Sequence, residues 1–164
     1  MNKHARRGTV SAKNLVFLAI IAVGVASVFY LGGRGATGNA ERSNALFQAS
    51  ANFELAKAAA ATEGKLVFVL ATADWCPPCR SFRGGTLADP TVQQQIADVA
   101  VPYKLDVTNQ NLPAHDAQLA QMLGVSSIPA VYAIDSNNNV LASAVGDLSP
   151  NQLTSWLNDA ASQQ

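Results

Sequence analysis

At 164 residues the chain is long enough for one domain with a real hydrophobic core and too short for two comfortable ones. Eleven Lys plus Arg balance eleven Asp plus Glu, so no net field draws the molecule to nucleic acid. The positive charge is uneven, however, with Lys3, Arg6, Arg7 and Lys13 crowded into residues 1–14.

Residues 15–31, LVFLAIIAVGVASVFYL, come next without a single charge. At 1.5 Å per residue these 17 positions make about 26 Å of helix, close to the roughly 30 Å of a bilayer core. They are read as a transmembrane anchor. A cleavable signal peptide is the alternative, with small residues at Gly38 and Ala40, although apolar signal regions usually run only about 7 to 15 residues. Either way the positive-inside rule keeps residues 1–14 in the cytoplasm and exports the chain beyond Leu31 to a compartment where disulfides persist. The expected location is a single pass through the cytoplasmic (inner) membrane, with the folded part on the periplasmic or extracytoplasmic side. Residues 32–42, opening on GGRGATGNA, read as a flexible linker, and the folded domain is placed at 43–164.

From Ser43 the pattern is helical, with Leu46, Phe47, Phe53 and Leu55 as apolar points and an alanine-rich end closed by Gly64. KLVFVLAT is a continuous apolar run, the signature of a strand covered on both faces. The ADWCPPCRSF stretch comes directly after it and opens a helix interrupted at Gly84 and Gly85. In DPTVQQQIAD, Asp89 can cap and Pro90 can open the next helix. VAVPYKLDV reads as a strand and PAHDAQLAQMLG as a helix ended by Gly124. Two strands, AVYAID and VLASAV, flank the turn SNNN. The last helix takes Ser149 as cap and Pro150 as its first residue, with Leu153, Trp156 and Leu157 on one face. This alternation predicts an α/β domain whose first strands are parallel and whose last two form an antiparallel hairpin.

The only cysteines, Cys76 and Cys79, stand two prolines apart. A structural zinc site needs four ligands; His4 lies on the wrong side of the membrane segment, and His115 alone leaves the set short. Covalent haem attachment needs a histidine where Arg80 stands. A disulfide closing so short a loop adds little stability as a staple. At a strand end opening a helix, the first sulfur instead meets amide donors that favour a thiolate, the form that attacks disulfides. Cys79, one turn on, can reach back to resolve a mixed disulfide, and Pro77 and Pro78 stiffen the turn between them. Redox exchange is the reading of this pair, with an inert bridge as the bland alternative. His115, Met122 and Asp106 suggest structure rather than chemistry.

ADWCPPCR, SSIPAVYAID and AVGDLSPNQLTSWLNDA together resemble the thioredoxin superfamily, over about residues 45 to 160. The run through TLADPTVQQQIAD and LDVT is most similar to the C-terminal periplasmic domain of transmembrane thiol:disulfide interchange proteins. The resemblance implies a thioredoxin fold, a central mixed sheet flanked by helices, here behind an N-terminal transmembrane helix. It implies that Cys76 is the exposed nucleophile and Cys79 the buried resolving thiol. Pro129, after Ile128, matches the family's cis-proline, which presents backbone to a substrate strand; Trp75 would flank the site, and Gly146 would let a substrate chain approach. One position departs: the buried aspartate that many members carry six residues before the nucleophile is Leu70 here. Lys104 matches a lysine that often neighbours that acid, and Asp74 is the other candidate for moving the proton of Cys79.

The expected activity is disulfide reduction in protein clients, with no cofactor beyond the Cys76–Cys79 pair. No histidine lies between the cysteines, as it does in strongly oxidising relatives, and Ile128 before the proline resembles the reducing ones. One expected span and one cysteine pair cannot carry electrons across a membrane, so a multi-span membrane electron donor is implied. A thiol oxidase or isomerase, and a scaffold or chaperone with locked cysteines, are the other readings.

Overall fold

The run KLVFVLAT becomes β1 (Leu66–Thr72), a strand buried at every position. It lies inside a four-stranded sheet of order β2-β1-β3-β4, with β2 spanning Ala100–Asp106, β3 Ala130–Ile134 and β4 Val140–Val145. The computed structural model describes residues 34–164, so the expected anchor at 15–31 and the basic stretch before it lie outside the described residues. Among the described residues no helix is long and apolar enough to cross a membrane.

β1 pairs parallel with β2, Leu66 opposite Ala100 and Thr72 opposite Asp106, and antiparallel with β3, Val67 opposite Ile134. β3 and β4 form the antiparallel hairpin that the sequence predicts, turning through Asn138 at φ 68°. Asp135 holds that turn by accepting hydrogen bonds from the amides of Asn137 and Asn139. The helices are α1 (Arg34–Leu46), α2 (Phe53–Glu63), α3 (Pro77–Gly84), α4 (Pro90–Val99), α5 (Ala114–Met122) and α6 (Pro150–Ala161).

Alternation along β1 divides the core. Leu66, Phe68 and Leu70 face a layer built with Phe82 of α3, Ile96 of α4 and Leu153 and Leu157 of α6. Val67, Val69 and Ala71 face the opposite layer, with Phe53 and Ala56 of α2 and Leu119 of α5. This is the mixed sheet flanked by helices that the resemblance implies. Local signals position the helices as read: Asp89 accepts from the amides of Thr91 and Val92 at the start of α4, and Gly64 closes α2 in the left-handed region at φ 65°. Ser149 caps α6 in a reciprocal box with Gln152.

Two expectations are corrected. The linker expected over 32–42 is helical from Arg34 onward. Ala40, Glu41, Arg42 and Ala45 are good helix formers, and a glycine inside a helix costs only about 1 kcal/mol, so the helix extends back through GATG. The helix expected from Ser43 to Gly64 is broken: a 3-10 turn spans Phe47–Ala49, and Asn52 caps a new helix by accepting the Leu55 amide at 3.0 Å. The break serves the two layers, because Phe47 stacks on Phe68 in one while Phe53 meets Tyr103 edge-on in the other.

Candidate active site

Cys76 sits at the C-terminal end of β1 as the N-cap of α3, in extended conformation. Pro77 and Pro78 bring no amide hydrogens to the first turn, so the first amide that can serve the Cys76 sulfur is that of Cys79, which donates to it at 3.3 Å. The cysteines form a disulfide with their Cα atoms 5.3 Å apart. Both are buried in the disulfide, Cys79 at 0% and Cys76 at 4% exposed, so the exposure expected of Cys76 is not found while the bridge is closed, because Ala73, Val107 and Ile128 cover the pair. The Ile128 carbonyl oxygen lies 3.8 Å from Cys76 Sγ. Once the bridge opens, a Cys76 thiol has that carbonyl as acceptor and a Cys76 thiolate has the Cys79 amide as donor.

The loop before Cys76 is clipped to the end of β2. Thr108 donates to Asp106 through its amide at 3.0 Å and its hydroxyl at 2.5 Å. Its hydroxyl oxygen accepts the Asp74 amide at 2.9 Å, and its carbonyl accepts the Trp75 indole N–H at 3.2 Å. Lys104 adds an ion pair to Asp106 at 3.1 Å. Burial pushes the Asp106 carboxyl up, but the Thr108 hydroxyl and amide and the Lys104 ammonium outweigh it and hold the group below the usual carboxylate range. Trp75, fastened by its indole nitrogen, leaves 63% of its surface exposed beside the disulfide.

The Ile128–Pro129 bond is cis. Pro129 accepts the Gly146 amide at 2.8 Å, and Gly146 has φ 106°, a backbone region that only glycine enters freely, with no atom within 4 Å of where a Cβ would stand. Trp75, Val107, Leu112, Val125 and Ile128 line an open cleft of about 340 Å³ next to the disulfide, and Val145 adds an exposed apolar side chain beside Gly146. The structure thus brings Cys76, Cys79 and Ile128 together directly, with Trp75 sharing the cleft with Ile128 and Pro129 bonded to Gly146.

The proposed proton carriers fare differently. The Asp74 carboxylate is 67% exposed and pairs with Arg83 at 3.0 Å, while Arg80 donates to the Asp74 carbonyl at 2.9 Å. Lys104 points its ammonium at Asp106. Leu70, at the position of the missing acid, is fully buried among apolar side chains. His115 and Met122 line a separate hollow of about 280 Å³ with Phe53, and Asp116 beside them accepts a hydrogen bond from the buried Tyr103 hydroxyl. His4 lies outside the described residues. Sequence reasoning missed the Asp106–Thr108 clip and the Arg83–Asp74 pair, since neither spacing announces a contact; LDVT was visible only as a likeness.

A family model for a thioredoxin-like domain matches residues 53–161. The chain belongs to the thioredoxin-like family. This thioredoxin-like domain is 35% identical over 107 residues to the thiol:disulfide interchange protein DsbD of Haemophilus ducreyi, covering 64% of this chain and 18% of that protein. DsbD of Citrobacter koseri is 32% identical over 145 residues, 83% of this chain and 23% of its own. The chain therefore spans about a fifth of the length of these relatives. Among solved structures, the C-terminal domain of Neisseria meningitidis DsbD in its reduced form superposes with a TM-score of 0.55 at 26% identity, covering 63% of this chain and 89% of that domain. The chain is therefore similar in both fold and sequence to that C-terminal domain.

Proposed function

We propose that this chain is a membrane-anchored thiol:disulfide oxidoreductase whose thioredoxin-like domain reduces disulfides in protein clients outside the cytoplasm. The observation that carries the reading is the Cys76–Cys79 disulfide at the start of α3, with the Cys79 amide aimed at Cys76 Sγ at 3.3 Å. The names of the relatives support the chemistry, and residues 15–31 support the anchor.

In the reduced dithiol, the Cys76 thiolate attacks one sulfur of a client disulfide. A Cys76–client bond forms, and the other client sulfur leaves as a thiolate that takes up a proton. Cys79, losing its proton, then attacks Cys76 Sγ; the internal disulfide closes and the second client thiol departs, so two electrons have passed to the client. The dithiol carries those electrons itself, and no further cofactor is needed. A multi-span membrane donor restores the dithiol. Trp75, Ile128, Pro129 and Gly146 receive the client strand around Cys76. Proton transfer through Asp74 or Lys104 has the least structural support, because each side chain is held in an ion pair.

A Cys79→Ala variant of the full chain tests the assignment. It should accumulate mixed disulfides with exported proteins through Cys76, reversed by dithiothreitol and absent from Cys76→Ser. Equal trapping by Cys76→Ser, or no adduct from Cys79→Ala where a thioredoxin trap variant captures clients, would overturn it.

A further inference from the structure

Among the described residues, Thr72 Oγ1 is a buried side-chain oxygen with no hydrogen-bond partner, in a residue with no exposed surface. A buried hydroxyl without a partner is costly, which makes its position informative. Thr72 is the last residue of β1, four before Cys76. By strand alternation it shares the face of Leu66, Phe68 and Leu70, the face that α3 covers with Phe82. Cys79 lies one turn before Phe82 on the buried stripe of α3, at the end of the helix nearest the C-terminal end of β1. The Thr72 backbone also lies beside the pair: Ala73, the next residue, packs on the two cysteines, and so does Val107, whose amide donates to the Thr72 carbonyl at 2.8 Å.

Resting on the redox reading above, we infer that Thr72 is a positioning residue for Cys79: its hydroxyl hydrogen-bonds the Cys79 sulfur when the disulfide is open and loses that partner when the disulfide closes. A disulfide sulfur has no proton to give and is a poor acceptor, whereas a Cys79 thiol can donate to Oγ1 and a Cys79 thiolate can accept from it. The hydroxyl therefore stabilises the reduced protein over the oxidised one. It supplies a polar contact in the layer where Leu70 supplies none.

The test is the equilibrium between the full chain and glutathione, read by thiol alkylation, for the wild type, Thr72→Val and Thr72→Ser. Removing a partner used only in the reduced state should shift the equilibrium of Thr72→Val about tenfold toward the disulfide, about 30 mV to more negative potential. Thr72→Ser, which keeps the hydroxyl, should stay within about twofold of the wild type. In unfolding experiments Thr72→Val should gain more stability, or lose less, when oxidised than when reduced. A Thr72→Val equilibrium within about twofold of the wild type overturns the inference, as does a Thr72→Ser shift equal to that of Thr72→Val. If Thr72→Val does not fold, Thr72→Ala against Thr72→Ser gives the same comparison. A wild-type chain that never exchanges with glutathione overturns the redox reading itself, a different result from exchange that is insensitive to Thr72.

Discussion

Replacing Asp106 with alanine should loosen the loop that carries Trp75 and Cys76. The carboxylate accepts the Thr108 hydroxyl at 2.5 Å and amide at 3.0 Å and meets Lys104 at 3.1 Å. Hydrogen bonds to a charged acceptor are worth about 1.5–3 kcal/mol each. The Asp106 side chain is a third exposed, so water replaces part of that loss, and the partly exposed ion pair adds at most about 1 kcal/mol. The expected net cost is about 2 kcal/mol, or roughly 1 M in urea midpoint at an m-value of about 2 kcal/mol/M. The group's folded-state pKa is lowered, so its contribution is fully present above the ordinary carboxylate value near 3.9 and is lost as pH falls through the lowered folded value. Urea titrations of wild type and Asp106→Ala should therefore differ equally at pH 7 and pH 5, and the difference should shrink progressively as pH falls below about 3.9 toward the lowered folded value. Trp75 fluorescence should shift in the variant at pH 7, since the carbonyl that fixes its indole belongs to Thr108. A midpoint within about 0.2 M of the wild type at pH 7, with unchanged fluorescence, would refute the clip as the element that holds this loop.

The same geometry sets other outcomes. Phe82→Ala empties a fully buried site beneath α3 and should cost about 3–5 kcal/mol in denaturant unfolding. Gly146→Ala meets no atom, so its cost of about 1–2 kcal/mol comes from the positive φ alone, and client trapping should weaken with it. Burial, then the hydrogen bond and charge of Asp116, hold the Tyr103 hydroxyl well above the ordinary phenol range. That stability is fully present below about pH 10 and is lost as pH rises through the raised folded value, so Tyr103→Phe should flatten the alkaline limb of the stability profile.

Much of the fold was written locally. Asp89-Pro90 and Ser149-Pro150 mark helix starts by cap chemistry, Gly64 and Gly124 mark ends by left-handed backbone, and KLVFVLAT shows a two-sided strand by lacking alternation. The break at Asn52 was not legible, because no proline or glycine marks it and its cause is the assignment of Phe47 and Phe53 to opposite layers, a long-range fact. The helix through residues 34–42 was hidden by glycines that suggest a tether, though Ala40–Arg42 tolerate helix well. At the site, the cysteines and their helix end were legible from the ten residues ADWCPPCRSF, whereas Thr108 and Arg83 act on Asp74 across 34 and 9 positions. Such pairings have no period or motif in the chain. The same holds for Thr72, whose hydroxyl stands out only once the fold shows it buried without a hydrogen-bond partner.

The central claim is that Cys76 and Cys79 form a reducing dithiol, and the reduction potential of the full chain, equilibrated with glutathione and dithiothreitol, tests it most directly. A value near that of thioredoxin, about −270 mV, is the expected result. A value near about −120 mV, where disulfide-installing proteins lie, would reverse the direction of electron flow and contradict the account.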